Sequence, residues 1–251
     1  MKVDAFLTAG SVNSAEVAGG VAVVIDVIRA TSTMVTAFGN GAEAVYPTVS
    51  TEDALRLASS LGRDEALLCG ERKGRKIEGF DLGNSPAEYD RATVEGKRLV
   101  MSTTNGTRAF LAASTADRIL AASFLNLGAV AGTVADAVAA GSPLVVVCAG
   151  KEDRFSLDDA VCAGALIREV ADRAGAGMET NDSAVAALSL AREFDVDEAF
   201  LRGTAAGRAL VEIGLGTDLS LCARRDVYEL VPEMVDRVIR LSTGGHESRP
   251  A

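Results

Sequence analysis

The sequence lacks tryptophan and contains a single histidine, His246, and these shortages exclude several kinds of catalytic site. A histidine-based triad or a His/Cys zinc cluster cannot be assembled from one histidine near the end of the chain. The chain also lacks the G-x-S-x-G elbow and the P-loop pattern G-x-x-x-x-G-K-[ST], and Ile28 breaks the D-x-D pattern of aspartyl-phosphate enzymes. Catalysis would have to come from carboxylates, hydroxyls, Arg or Lys, and a metal ion.

Aromatic residues are scarce, at 4% of the chain, whereas hydrophobic residues make up 48%. We therefore expect a core of Ala, Val and Leu packed between helices and strands. The four cysteines form no C-x-x-C pair and no secretory leader opens the sequence, which predicts a cytoplasmic protein. Apolar runs such as residues 144–149 have the length of a strand, far below the roughly 18 residues that span a membrane, so we predict no membrane segment.

The charge balance is acidic, with 35 Asp and Glu against 25 Lys and Arg and a net charge of -10. This balance disfavours nucleic acid or an anionic membrane as the partner. It does not prevent a local cationic site from binding a small anion. The sequence is compatible with a homo-oligomer and does not specify one.

Short β-branched segments alternate with alanine-rich segments of helical periodicity, a pattern that predicts a βαβα order. The predicted strands are Val3–Leu7, Val21–Asp26, Ala44–Tyr46, Ala66–Cys69, Arg98–Met101, Arg118–Ala121 and Leu144–Cys148. The predicted helices are Thr31–Asn40, Thr51–Leu61, Asn105–Ala113, Asn126–Ala140 and Leu157–Ala174. We predict an α/β fold with three α/β/α layers, a largely parallel sheet and a mainly helical C-terminal subregion at residues 181–221.

These elements are expected to form a single α/β domain over residues 1–241. Residues 226–240 are compatible with a last strand or a last helix. Residues 242–251, which contain Gly244, Gly245 and Pro250, are predicted to be a flexible tail.

Polar turns follow four of the predicted strands. They are Asp26–Thr33, Glu71–Pro86, Ser102–Thr107 and Ala149–Asp159. In an open parallel sheet the ligand site lies beyond the carboxyl ends of the strands. If the strands are parallel, all four turns converge on one site.

The first turn contains the carboxylate of Asp26, the guanidinium of Arg29 and the hydroxyls of Thr31, Ser32 and Thr33. A helix follows, and its free N-terminal amides would favour a phosphate group. The composition indicates an anion site with a metal ligand. The alternative is that Thr31 or Ser32 caps a helix and that Asp26 balances Arg29.

The second turn contains four basic residues in an otherwise acidic protein, Arg72, Lys73, Arg75 and Lys76. It is about fifteen residues long without a clear secondary-structure pattern, and such loops in compact domains are usually functional or disordered. A solvated basic loop is the alternative.

The third turn, Ser102–Thr107, has hydroxyls, an amide and Gly106 at a strand-to-helix junction. This is the composition expected of a loop whose backbone amides hold a phosphate. An ordinary helix cap is the alternative.

The fourth turn matches C-x5-R from Cys148 to Arg154, the spacing of cysteine-dependent phosphatases. We predict that the match is fortuitous, because Glu152 and Asp153 would repel both a thiolate and a dianion. These acidic residues, with Asp158 and Asp159 in the next helical turn, fit a site for a hard cation such as Mg2+ better.

Taken together, the motifs resemble the 2-phosphosulfolactate phosphatase family. They are Asp26–Thr33, Gly70–Arg72, Gly79–Pro86, Thr103–Thr107, Ser123–Asn126, Cys148–Gly150, Phe155–Asp159 and Cys162–Gly164. The resemblance extends from about Val21 to Leu221, and several motifs in one order are more specific than any single one.

The resemblance implies a magnesium-dependent phosphatase that converts 2-phospho-3-sulfolactate into 3-sulfolactate and phosphate, a step of coenzyme M biosynthesis in methanogens. A small anionic phosphate ester would be the partner, and Mg2+ the cofactor. Cations are needed for its phosphate, sulfonate and carboxylate, and Arg29, Arg154 and the basic loop could provide them.

We predict catalytic roles for Asp26, Arg29, Glu71 and Glu152, and metal ligation by Asp26, Glu152 and Asp158. The predicted substrate-binding residues are Thr31, Ser32, Arg72, Lys73, Asn84, Thr103, Thr104, Asn105, Gly106, Thr107 and Arg154. Direct attack by water is the preferred mechanism, and Asp26 or a threonine as covalent nucleophile is the alternative. A rival function is non-catalytic binding of phosphorylated or sulfonated metabolites.

Overall fold

An eleven-stranded sheet runs through the described residues, which are 1–62, 64–175 and 177–242 of the computed structural model. The strands are β1 (Lys2–Phe6), β2 (Val21–Ile25), β3 (Ala44–Thr48), β4 (Ala66–Arg72), β5 (Arg75–Lys76), β6 (Arg98–Ser102), β7 (Arg118–Ala122), β8 (Leu144–Cys148), β9 (Glu179–Thr180), β10 (Pro232–Val235) and β11 (Val238–Leu241). All seven predicted strands are present, which confirms the period-2 and β-branched signal.

The helices within the described residues lie between the strands and after β9. They are α1 (Ser14–Val17), α2 (Ala30–Gly39), α3 (Thr51–Leu61), α4 (Arg91–Val94), α5 (Gly106–Ala112), α6 (Leu127–Ala139), α7 (Leu157–Ala174), α8 (Asp182–Glu193), α9 (Glu198–Gly203), α10 (Ala205–Glu212) and α11 (Asp218–Cys222). Short 3-10 helices lie at Ala9–Ser11, Pro86–Glu88 and Phe124–Asn126. The five predicted helices and the helical subregion are confirmed, and α1 and α4 are additional.

The sheet contains two groups of parallel strands, as the strand order β5-β4-β6-β3-β11-β10-β7-β2-β8-β1-β9 shows. One group is β4, β6 and β3, and the other is β7, β2, β8, β1 and β9. Strands β10 and β11 form an antiparallel hairpin between the groups and pair antiparallel with β7 and β3. The fold is therefore α/β with a mostly parallel, mixed sheet.

Both faces of the sheet are covered, which explains why β2 is buried at every position. Val21, Val23 and Ile25 belong to the core cluster that contains residues of α6, α7 and α8. Ala22 and Val24 belong to the opposite cluster, with residues of α2 and α5. The alternation of β2 side chains between two apolar clusters gives the predicted three-layer α/β/α arrangement.

The segment after α11 forms the β10–β11 hairpin, so the strand alternative for residues 226–240 is confirmed and the helix alternative is wrong. Asp236 and Arg237, between the two strands, have φ values of 51° and 63°, as a two-residue type I′ turn requires. Ser242, placed in the predicted tail, donates its backbone N–H to Val231 and its hydroxyl to Glu233. The rest of that tail prediction, residues 243–251 with His246, lies outside the described residues.

The two parallel groups run in opposite directions, because three antiparallel pairings separate β3 from β7. The four polar turns follow β2, β4, β6 and β8, and these strands do not all run in the same direction. A common strand direction therefore cannot be what brings the turns to one site. Five strand-to-strand steps separate β6 from β2, and a twist of about 20–25° per step rotates the groups by roughly 100° or more. Opposed strand directions thus do not prevent their carboxyl ends from meeting at one site.

The C-terminal helical subregion packs on the side of the sheet covered by α7. Helix α8 lies so close to α7 that a Cβ added to Gly164 would fall 2.0 Å from the carbonyl oxygen of Ala187. Glycine is thus required for this helix–helix approach. Within the described residues, no helix combines the length and the apolar character needed to cross a membrane.

Candidate active site

The turn after β2 is held together by its own polar groups. Asp26 is buried, and its carboxylate accepts a hydrogen bond from the Ala30 N–H at 3.2 Å. Its carbonyl oxygen accepts from the Thr31 N–H at 3.0 Å and from the Thr31 hydroxyl at 2.8 Å. The N–H groups of Ala30 and Thr31, the first two of α2, are therefore bound to Asp26, and the expectation of free N-terminal amides is wrong for these two.

The next two hydroxyls of this turn are also bonded to backbone carbonyls. Ser32 donates to the Val27 carbonyl at 2.8 Å, and Thr33 donates to the Asn84 carbonyl at 2.9 Å. Thr31 and Ser32, both predicted to bind substrate, thus have their hydroxyl protons engaged within the protein. Their hydrogen bonds fix the shape of the turn that presents Asp26.

Arg29 is buried in an ion pair with Asp218, the first residue of α11, with 2.7 Å between Nη1 and Oδ2. Its Nη2 donates to the Gly74 carbonyl at 2.5 Å, and a cis peptide bond precedes it. Ser85 donates to the other oxygen of Asp218 at 2.6 Å. The alternative in which Asp26 balances Arg29 is thus corrected, because Asp218 is the paired carboxylate.

The second turn begins with a short hairpin where an irregular loop was predicted. Strands β4 and β5 pair antiparallel around Lys73 and Gly74, both at positive φ. Glu71 is buried below this hairpin and accepts from the Gly74 N–H and from the Thr104 N–H, both at 2.7 Å. Glu71 therefore joins the second turn to the third through both of its carboxylate oxygens.

Two buried carboxylates lie in the first turn of α7. Asp159 accepts from the Val27 N–H at 2.8 Å with one oxygen and from the Gly150 N–H at 3.0 Å with the other. Asp158 accepts from the Ser156 hydroxyl at 2.6 Å through Oδ1. Asp159 thus joins the first turn to the fourth, as Glu71 joins the second to the third. We call Glu71 and Asp159 the clamp carboxylates, and Asp26 and Asp158 the open carboxylates.

The carboxylates are close enough to affect each other's protonation. The pKa of Asp26 is raised from 3.8 to about 7, chiefly by burial and also by the charges of Glu71 and Asp158, whereas the hydrogen bond from the Ala30 N–H and the charge of Arg29 act to lower it. Burial also raises the pKa of Asp158, and it raises that of Asp159 with the help of Asp158 and Asp26. Such a cluster of buried carboxylates favours binding of protons or of a cation.

The third turn approaches Asp26 closely. A Cβ added to Gly106 would lie 2.7 Å from the Ala30 Cβ and 3.0 Å from Oδ2 of Asp26, so only glycine fits here. The Thr103 hydroxyl accepts from the Thr107 N–H at 3.1 Å and lies 3.3 Å from the Thr107 hydroxyl. Thr103 and Thr107 thus shape this turn, whereas the N-cap residue of α5, Asn105, makes no side-chain capping bond among the described residues.

Two buried polar atoms at the site have no hydrogen-bond partner among the described residues. They are the Thr104 hydroxyl oxygen and the side-chain oxygen of Asn84. Buried polar groups are normally paired, because an unpaired one costs about 1–3 kcal/mol. Thr104 and Asn84, both predicted to bind substrate, are therefore placed as a bound polar ligand would require.

The fourth turn meets the third through its backbone. Lys151 and Arg154 form an isolated bridge, with Glu152 and Asp153 at φ values of 52° and 59° between them. The Glu152 N–H donates to the side-chain oxygen of Asn105 at 3.3 Å. Glu152 and Arg154 themselves are exposed.

The predicted metal set of Asp26, Glu152 and Asp158 is not assembled. Among the residues that the structure describes, no group of three or more His, Cys, Asp or Glu side chains could hold a metal ion. Asp26 and Asp158 are buried and electrostatically coupled, whereas Glu152 is exposed at the tip of its turn. Positive φ at Glu152 belongs to a tight turn, which is why sequence proximity to Asp158 did not bring the two carboxylates together.

The predicted basic residues divide into bound and exposed ones. Arg72 donates to the Ser102 hydroxyl at 2.9 Å and to the Glu71 carbonyl at 2.7 Å, so it supports the ends of β4 and β6. Lys73, Arg75 and Lys76 are exposed on the hairpin. The hairpin is thus a cationic surface segment whose base, at Glu71, lies in the site.

Cys148 is fully buried at the end of β8. Desolvation raises the pKa of its thiol well above the usual value, and the negative charge of Asp159 raises it in the same direction. A thiolate nucleophile is disfavoured there. This agrees with the prediction that C-x5-R is fortuitous, although the main cause is burial and not Glu152 or Asp153.

Comparison with known proteins places this α/β chain among the phosphatases. A model of the 2-phosphosulpholactate phosphatase family matches residues 6–237. The chain belongs to this family.

Similar full-length proteins carry the name probable 2-phosphosulfolactate phosphatase. One from Clostridium acetobutylicum is 40% identical over 233 residues, which cover 93% of this chain and 97% of the relative. One from Clostridium perfringens is 40% identical over 248 residues, covering 98% of each chain. One from Symbiobacterium thermophilum is 43% identical over 220 residues, covering 86% of this chain and 92% of the relative.

Proposed function

We propose that this protein hydrolyses 2-phospho-3-sulfolactate, or a closely related 2-phospho-hydroxyacid, to the hydroxyacid and phosphate with the help of Mg2+. The names of the relatives support the substrate, and the family supports the phosphatase class. The observation that carries the proposal is the pair of buried open carboxylates, Asp26 and Asp158, with two buried side-chain oxygens that lack a partner among the described residues on the neighbouring turns. These oxygens belong to Thr104, whose N–H binds Glu71, and to Asn84, whose carbonyl binds Thr33.

The open carboxylates fit a magnesium site of the type that enzymes use with phosphate substrates. Mg2+ is usually bound by one or two carboxylates, with waters and substrate phosphate as the remaining ligands, so a cluster of three protein ligands is not needed. Asp26 and Asp158 would hold the ion, which would supply charge stabilisation for the phosphoryl oxygens and lower the pKa of a bound water.

The role of the protein in hydrolysis follows from the same contacts. A water oxygen forms a bond to phosphorus, the bond between phosphorus and the C2 oxygen breaks, and the proton that the attacking water loses is balanced by the proton that the leaving oxygen gains. Thr104 and Asn84 supply polar groups to the bound substrate, and the clamp carboxylates hold the four turns in register. The exposed cations Lys73, Arg75 and Lys76 attract a substrate with several negative charges.

A hydroxyl nucleophile from the first turn is disfavoured in this proposal. Thr31, Ser32 and Thr33 each donate their proton to a backbone carbonyl, and in the described part of the chain none forms a hydrogen bond with a carboxylate that could act as its base. Attack by water is the simpler route. Mass spectrometry of protein quenched during turnover tests this, because a phosphorylated residue would establish a covalent intermediate.

Phosphate release from a panel of 2-phosphorylated hydroxyacids tests the proposal. We expect release from 2-phospho-3-sulfolactate with Mg2+ and its loss with EDTA. Simple phosphate monoesters without a second anionic group serve as the control and are expected to react more slowly. Binding of the panel compounds without phosphate release would contradict the proposal and favour a metabolite-binding protein.

A further inference from the structure

We propose that Asp218 is the positioning residue for Arg29, so that the helical C-terminal subregion forms part of the active site. The expected effect on kcat/KM rests on the proposed function. The expected effect on the structure of the hairpin rests on the observed contacts alone. Asp218 stands about 190 residues after Arg29 in the chain, and no motif in the sequence connects them.

The Arg29–Asp218 pair is almost completely removed from water. The two side chains are 3% and 2% exposed, and Nη1 lies 2.7 Å from Oδ2. A buried arginine without its carboxylate would leave an uncompensated charge, so the position of Arg29 depends on Asp218. Surface pairs such as Arg91–Glu95, with both side chains more than half exposed, carry no such dependence.

Asp218 is itself fixed from a second direction. Ser85, at the end of the second polar turn, donates to its Oδ1 at 2.6 Å. Both carboxylate oxygens are thus engaged, one by Arg29 and one by Ser85. The carboxylate therefore holds the first turn, the second turn and the start of α11 together at one point.

Arg29 also contacts the cationic hairpin, so its position affects that of the hairpin. Its Nη2 donates to the Gly74 carbonyl at 2.5 Å, and the Gly74 N–H donates to Glu71. A Cβ added to Gly74 would lie 2.8 Å from Cδ1 of Ile213, so the hairpin tip is packed between Arg29 and the end of α10. The residue after Arg29, Ala30, donates its backbone N–H to the carboxylate of Asp26. Asp218 thus acts through Arg29 on the hairpin and on the turn that carries Asp26.

The substitution Asp218→Asn separates charge from shape. Asparagine can still accept from Arg29 with its oxygen and donate to the Ser85 hydroxyl with its amide, so the packing is kept while the charge is lost. We expect kcat/KM for the phosphate ester to fall about tenfold, because the buried guanidinium of Arg29 keeps a hydrogen-bond acceptor but loses its negative counter-charge. Glu233→Gln is the matched control, because Glu233 of β10 forms a 2.8 Å ion pair with Arg118 of β7, and neither residue belongs to the four polar turns.

A kinetic double-mutant cycle distinguishes positioning from a general loss of stability. Arg29→Lys removes the planar guanidinium and is expected to lower kcat/KM as well. If Asp218 acts through Arg29, the double variant loses much less activity than the product of the single losses. If the loss in the double variant equals the product of the two single losses, the two residues act independently and the inference is overturned.

Hydrogen exchange provides a readout that does not depend on activity. We expect faster backbone exchange over residues 71–76 in Asp218→Asn, because the Arg29–Gly74 contact is weakened, and unchanged exchange there in Glu233→Gln. Unchanged exchange in both variants would overturn the inference. If the wild-type protein releases no phosphate, the proposed function fails, and the exchange result still decides the role of Asp218.

Discussion

The clamp and open carboxylates differ in what their oxygens do, although all four are buried in the same site. Glu71 and Asp159 each accept two backbone N–H groups from two different turns, at 2.7–3.0 Å. Asp26 accepts one longer bond from Ala30, and Asp158 accepts a single hydroxyl. The comparison teaches that an acidic residue at the end of a strand is a chemical candidate only where the backbone leaves its oxygens available.

Replacing an open carboxylate should have the largest effect. We expect Asp26→Asn to lower kcat about 10³-fold, because several kcal/mol of charge stabilisation at the phosphoryl group depend on the metal that it would hold. Folding should not suffer, since asparagine can still accept from Ala30. Steady-state phosphate release and thermal unfolding of the same preparation check both statements. Near-wild-type turnover would remove Asp26 from the mechanism.

The same substitution should reveal the cost of ionising Asp26. The pKa of Asp26 is raised in the folded protein from 3.8 to about 7, so this group favours folding below about pH 4, and its contribution is lost as the pH rises through 7. The variant Asp26→Asn has no titrating group at this position, so its stability does not fall for this reason as the pH rises.

The free energy of unfolding of Asp26→Asn, relative to that of the wild type, should therefore rise between pH 4 and pH 8 by at most about 4 kcal/mol. Urea unfolding with EDTA present, at several pH values, measures the difference between the two proteins. A difference that does not change with pH would show that Asp26 titrates normally.

Replacing a clamp carboxylate should affect stability first. Glu71→Gln and Asp159→Asn each put an amide where two backbone N–H groups point, so one donor loses its acceptor. We expect each to lower the free energy of unfolding by about 1–3 kcal/mol. Chemical denaturation measures this loss. Asp158→Asn is the control, because it makes the same acid-to-amide change at an open carboxylate. If the clamp variants keep full stability and lose all turnover, the distinction between clamp and open carboxylates is wrong.

The smallest effect is expected at Cys148. Cys148→Ser keeps the shape of the side chain, and its buried thiol takes no part in the proposed chemistry. We expect kcat to change less than about twofold, with some loss of stability from the buried hydroxyl. A phosphate-release assay checks this. A large loss of kcat in a folded variant would revive the cysteine mechanism.

Much of the fold could be predicted because the strands and helices have clear periodicities. Strand β8 and helices α3 and α7 have the predicted bounds, and the helical character of residues 181–221 is confirmed. The β4–β5 and β10–β11 hairpins were harder to predict, because Arg75–Lys76 and Pro232–Val235 are short and carry polar residues. The Lys73-Gly74 pair, flanked symmetrically by basic residues, was the available turn signal.

The site could be predicted less well, since its contacts join residues far apart in the chain. Asp26, Glu71, Thr104 and Asn84, which the structure places in the candidate site, were predicted from their positions after strands. Asp218 was not, because it stands in a helical segment without any catalytic motif. The clamp role of Glu71 was also hidden, since hydrogen bonding to the Gly74 and Thr104 amides depends on the folded backbone.

The most direct test of the account measures metal binding to the carboxylate variants. Mn2+ serves as a paramagnetic substitute for Mg2+, and electron paramagnetic resonance counts the free ion at each concentration. We predict one site in wild type, affinities reduced by more than about tenfold in Asp26→Asn and Asp158→Asn, and a smaller change in Asp159→Asn. Equal losses in open and clamp variants, or wild-type affinity in Asp26→Asn, would contradict the account.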